Sequence, residues 1–167
     1  MSYICGSCGN EHEDWPALTF DAPLAYYRLN DEDKKNIADL GSDHCIIRYD
    51  NQTDLFIRAT LIQRVNDHCL DLDYGIWVSL SEKSYNDYAD NFDNENHITT
   101  YFGYLSSNIP GYDDTFLIHT NVHTRTGNQR PEVTPHENFD HPFVIDYYNG
   151  ISKEEAERRI ADMLKNG

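Results

Sequence analysis

Apolar and polar residues alternate through the middle of the chain. Leu55, Ile57, Ala59, Leu61 and Val65 are interleaved with Phe56, Arg58, Thr60, Ile62 and Arg64. That period of two predicts a long strand with one well-buried face. Cys45-Ile46-Ile47-Arg48-Tyr49 is a short β-branched run before the turn signal Asp50-Asn51. Ile76, Val78 and Leu80 alternate with Trp77, Ser79 and Ser81, a further strand. Residues 98–105 and 116–125 read as two more strands, separated by the loop Asn108-Ile109-Pro110-Gly111-Tyr112-Asp113-Asp114. Residues 127–140 carry two prolines and few apolar side chains and read as a loop.

Helical signals lie toward the two ends. Asn30 is an N-cap candidate, Asp31, Glu32 and Asp33 crowd the first turn behind it, and Gly41 marks an end. A short helix is predicted around Lys83–Asn91. Ser152-Lys153-Glu154-Glu155 fits a capping box, and Ala156, Ile160, Met163 and Leu164 then share one helical face. Residues 1–23 read as an irregular segment. The expectation is one α+β domain over 1–167, with a mostly antiparallel β-sheet and helices in 24–151 and a C-terminal helix over 152–166.

Charge narrows the function classes. The 167 residues include 13 Lys and Arg against 29 Asp and Glu, a formal net charge of −16. Such a surface disfavours nucleic acid and anionic membranes as partners, since phosphate contacts need a cationic surplus. Aromatic residues at 13% of the chain, with 12 tyrosines, are too frequent for a disordered polyanion. Met1-Ser2-Tyr3-Ile4-Cys5 has neither the basic nor the apolar part of a secretory signal, and no apolar run is long enough to span a bilayer. A cytoplasmic location is expected, in which the four cysteines read as thiols or metal ligands.

Cys5-x-x-Cys8 has zinc-knuckle spacing, with Gly6 and Gly9 allowing the backbone to turn around an ion. No second Cys-x-x-Cys follows, so further ligands would come from His12, His44, Cys45, Cys69 or His141. His12, four residues after Cys8, is within easy reach. One structural zinc ion is expected. His119 and His123 would share a strand face about 13 Å apart, too far to bind one ion. Arg125, Arg130 and His141, in or beside the proline-bearing loop, could form an anion pocket or pair with carboxylates. A cysteine nucleophile at Cys45, served by His123 or His141, has no local motif behind it.

Several short motifs occur together: Cys5-x-x-Cys8-Gly9 with His12, Ser42-Asp43-x-Cys45, Gly75-Ile76-Trp77-Val78-Ser79-Leu80-Ser81-Glu82, Tyr101-Phe102-Gly103-Tyr104-Leu105, Pro110-Gly111-Tyr112, Val122-His123, Arg130-Pro131, and His141-Pro142 before Gly150-Ile151. In this combination the chain resembles the bacterial domain-of-unknown-function family 2199 from about Tyr3 to Met163. The resemblance implies one α+β domain. It also implies Cys5, Cys8, Cys45 and a histidine as ligands in preference to Cys69, because family members typically carry an aromatic or charged residue near that position.

Two function classes follow. The first is a protein-binding module, concretely an immunity-type inhibitor that neutralises a basic bacterial toxin, with Trp77, Tyr112, His123, Arg130 and His141 as contact candidates. The alternative is a zinc-containing enzyme or small-ligand-binding domain.

Overall fold

A computed structural model describes residues 2–4, 8–127 and 129–166. The central alternation forms the two longest strands, β6 (Thr53–Gln63) and β7 (Leu72–Leu80), paired antiparallel with Ile57 opposite Val78, Ala59 opposite Ile76 and Leu61 opposite Tyr74. β8 (Thr100–Leu105) and β9 (His119–His123) follow as an antiparallel pair.

The predicted loop after residue 127 contains a further strand, β10 (Glu132–Pro135). It runs antiparallel to β9 and meets β6 in parallel at Glu132–Thr60. Since β6 also pairs with β7, the sequence β6-β7-β8-β9-β10 closes into a five-stranded barrel. The expected sheet is thus closed into a barrel; its pairings are mostly antiparallel, as expected, and the α+β class stands. Closure pairs both edges of β10, whose backbone polar groups would otherwise be left open.

The other strands extend this barrel. β3 (Leu18–Thr19) lies parallel to β7, while β4 (Ala38–Leu40) and β5 (His44–Arg48) continue outward from β6. The supposedly irregular N-terminal segment contains an antiparallel hairpin as well, β1 (Ser2–Ile4) with β2 (Glu11–Glu13).

β6 and β7 bury both faces. Ile57, Ala59, Leu61, Ile76 and Val78 join Val122, Val133 and Phe143 in the main core. Phe56 and Trp77, on the opposite face, pack with Cys45 and Ile47 against Ala25 and Tyr26 of α1 (Leu24–Tyr27) and against Leu29 and Ile37, which flank α2 (Asp31–Asn36). The Asn30 side chain caps α2 by accepting from the Asp33 amide at 2.8 Å. That helix stops earlier than the Gly41 signal suggested, because Ala38–Leu40 is taken up by the sheet. α3 (Glu82–Asp90) lies where a short helix was predicted.

α4 (Pro142–Asn149) and α5 (Lys153–Asn166) close one side of the core. Three polar side chains at the end of β6 and just beyond it satisfy carbonyls at the C-terminal end of α4. Gln63 donates to Asp146 O at 2.8 Å, Arg64 to Tyr148 O at 3.0 Å and Asn66 to Asn149 O at 3.1 Å. Gly150, at φ +82°, lets the chain leave α4 sharply enough for Ile151 to bridge to Val65. α5 starts as predicted, with Ser152 Oγ accepting from the Glu155 amide at 3.1 Å. The other half of the capping box differs from the expectation: the Glu155 carboxylate turns to Arg158, which binds it at 2.7 and 2.8 Å. The predicted apolar face holds for Ala156, Ile160 and Met163, but Leu164 is exposed and Arg159 is buried.

Candidate metal centre and binding surface

The β1–β2 hairpin and the turn between β6 and β7 bring together residues distant in sequence. The ligand atoms of Cys8, His12 and Cys69 all lie within 4.8 Å of one another. Cys8 Sγ is 3.1 Å from His12 Nε2. Tyr3 Oη lies 3.2 Å from Cys69 Sγ and 3.5 Å from His68 Nε2. The His68 ring is stacked on Trp15 at 4.2 Å and meets the edge of His12 at 4.9 Å. Burial, then the neighbouring His12, holds the His68 imidazole below its ordinary pKa. Two thiols and an imidazole at such separations can close around one cation.

Two of the expected ligands, Cys8 and His12, belong to this group. Cys5 lies outside the described residues. Cys45 is elsewhere, fully buried in β5 against Ile47, Phe56 and Trp77, and burial first and Asp39 second push its thiol up to about 12. A thiol so hard to ionise, inside an apolar cluster, is a small core side chain. The third donor is Cys69, which the resemblance had set aside. His44 pairs loosely with Asp39 at 3.7 Å, and His141 belongs to α4, so neither joins the group.

The expected contact residues divide into structural and accessible ones. Trp77 is 0% exposed, and its indole donates to Phe20 O at 2.7 Å, so it cannot meet a partner. The Tyr112 hydroxyl donates to the Asp146 carboxylate and accepts from the Arg159 guanidinium. His141 caps α4, accepting from the Phe143 amide through Nδ1 at 3.0 Å and donating from Nε2 to Asp113 O at 2.6 Å. His123 lies between Thr100 and Thr134, 3.0 Å from each hydroxyl. Arg130 is exposed but paired with Asp43 at 2.7 Å. With Arg125 it borders a cavity of about 270 Å³, from which His141 is absent.

An accessible apolar surface lies on another part of the barrel, at residues not among the expected contact candidates. Phe102 and Tyr104 occupy outward positions of β8, 44% and 39% exposed, with ring centroids 5.0 Å apart. The His119 ring sits 5.3 Å from both. The two β8 rings also border a groove of about 880 Å³ with Leu24, Leu29, Leu55 and Phe116. Leu117 stands on its lip at φ +71°, 56% exposed, tied down by its amide bond to Leu105 O at 2.6 Å. Outward alternation along β8 is the signal that could have found Phe102 and Tyr104. Leu117 had none.

The structure thus defines an α+β barrel protein with a Cys-His-Cys cluster at its N-terminal hairpin and an exposed aromatic groove on the barrel. Residues 4–151 match the model of the family described as "Uncharacterized protein conserved in bacteria (DUF2199)", and the chain belongs to that family. No curated protein and no solved structure matches it. No helix among the described residues is long and apolar enough to cross a membrane.

Proposed function

We propose that this protein is an acidic binding module, an immunity-type inhibitor that occludes and neutralises a basic toxin. The observation that carries the reading is the exposed lip of Phe102, Tyr104 and Leu117 along an apolar groove. Apolar side chains grouped on a surface mark contact sites, and aromatic rings are frequent anchors. Leu117 supports it further, since a non-glycine residue held at positive φ costs about 1–3 kcal/mol, and such strain clusters at functional positions. The net charge of −16 selects a cationic partner and would accelerate encounter with it.

The test is co-expression with the protein encoded by the adjacent reading frame. That neighbour should arrest growth alone and not when this chain is present. A harmless neighbour, or a toxic one that this chain neither binds nor counteracts, refutes the reading.

For the Cys8–His12–Cys69 group, zinc is the ion we propose. Thiolate and imidazole donors suit it, and three such donors leave the fourth position of its usual tetrahedral set for a further ligand.

A further inference from the structure

Among the described residues, the hairpin that carries two of the three donors places no side chain in the core. None of Ser2, Tyr3, Ile4, Glu11, His12 and Glu13 is buried, and Ile4 is largely exposed. A two-stranded hairpin alone is marginal in water. It meets the turn between β6 and β7 through side chains: Tyr3 reaches His68 and Cys69, and His12 meets His68. That turn is itself fixed at both ends. Asp71 accepts from the Val65 amide at 3.1 Å, and Asp67 accepts from the Lys153 amide at 2.5 Å.

Resting on zinc as the ion, we infer that the Cys8–His12–Cys69 site is a staple that holds the N-terminal hairpin on the β6–β7 turn. Cys8 and His12 come from the hairpin side and Cys69 from the barrel side. Coordination therefore adds metal–ligand bonds across a contact in which none of the six strand residues is buried. The ion orders the hairpin and the turn. The barrel keeps its own core and does not depend on it. Binding releases the thiol protons of Cys8 and Cys69 to solvent as the two sulfurs become thiolate ligands.

The experiment is hydrogen exchange on the full chain, first stripped of metal and then titrated with zinc alone, with zinc content measured in parallel. At free zinc about a hundred times its dissociation constant, amides of the hairpin and of the turn around Cys69 should exchange about 100-fold more slowly, while those of β6 and β7 stay unchanged. Cys69→Ser and His12→Gln should both abolish that protection with the barrel amides intact, and Cys45→Ser should retain it. Cobalt in place of zinc should give thiolate charge-transfer absorption in the wild type that weakens in Cys69→Ser. Failure to bind zinc overturns both the choice of ion and the staple. Zinc bound with hairpin exchange unaltered overturns the staple and leaves zinc as the ion. Full protection in Cys69→Ser removes Cys69 from the site and the staple with it.

Discussion

Arg159 is the residue whose removal the packing most clearly penalises. Its side chain is 5% exposed on the core-facing side of α5. Nη1 donates to Tyr74 Oη at 3.2 Å, Nη2 to Tyr112 Oη, and Nε faces Glu155 at 3.4 Å. Asp146 lies 3.6 Å from Nη2, and the guanidinium covers the Tyr112 ring at 5.0 Å from its centroid. Breaking a buried ion pair by removing one partner costs about 3–5 kcal/mol. Asp146 and Glu155 retain partial solvent access, which lowers their share. Most of the penalty is then the Tyr74 hydroxyl, buried without its donor, together with the space left behind. Arg159→Ala should therefore cost about 3 kcal/mol, near the bottom of that range. For a chain of this size that is a fall of about 6–12 °C in Tm. Arg159→Met, which keeps the aliphatic stem, should cost about 1–3 kcal/mol through the unpaired hydroxyl. Denaturant and thermal unfolding of Arg159→Met, Tyr74→Phe and the double variant measure this directly. The double variant should recover part of the loss, since neither half of the Arg159–Tyr74 hydrogen bond is then stranded. A wild-type Tm for Arg159→Met, or strictly additive effects, would refute this account of the network.

Two further predictions separate stability from binding. Burial pushes the Asp43 carboxyl upward, but the Arg130 hydrogen bond and charge outweigh it, so the folded protein holds it below its ordinary 3.8. The pair's contribution is therefore present above 3.8 and disappears as pH falls through the lowered folded value. Arg130→Gln should be less stable than wild type at neutral pH by under about 1 kcal/mol, as expected of a part-exposed pair, and the gap should close in acid. A gap that persists or widens at low pH contradicts the pairing. Leu117→Gly relieves the left-handed backbone strain and removes an exposed side chain, so stability should hold or rise by about 1 kcal/mol at most, read as an unchanged or higher Tm. The same variant should bind the proposed partner more weakly, and undiminished affinity would take Leu117 out of the contact surface.

Local signals in the sequence translated well where local chemistry decides the outcome. The Asn30 cap, the strands on either side of Asp50-Asn51, the long alternation from Leu55 and the Ser152 cap are each settled within a few residues. β10 was hidden because it is four residues long, preceded by Pro131 and ended by Pro135, and its strand character comes from pairing with β9 and β6. Barrel closure rests on contacts between distant segments and leaves no local trace. The metal group shows the same division. Cys8 and His12 are close in sequence and were legible together, whereas the choice between Cys45 and Cys69 depended on which strand end approaches the hairpin. Cys45 did carry a signal of its own, alternating with Ile46 so that it shares a buried face with Ile47. Arg159 ran against its helix pattern, because a charge among Ala156, Ile160 and Met163 is intelligible only once Tyr74 and Tyr112 are seen to receive it.

The most direct test of the central claim is the association kinetics of the purified chain with the product of the adjacent reading frame, the proposed toxin, at low and at high salt. The account predicts tight binding whose association rate falls about tenfold or more as salt rises, with dissociation changing much less. It also predicts faster dissociation when Phe102 and Tyr104 are both replaced by alanine. Equal association rates at both salt concentrations, together with unchanged dissociation of the Phe102→Ala, Tyr104→Ala variant, would contradict it.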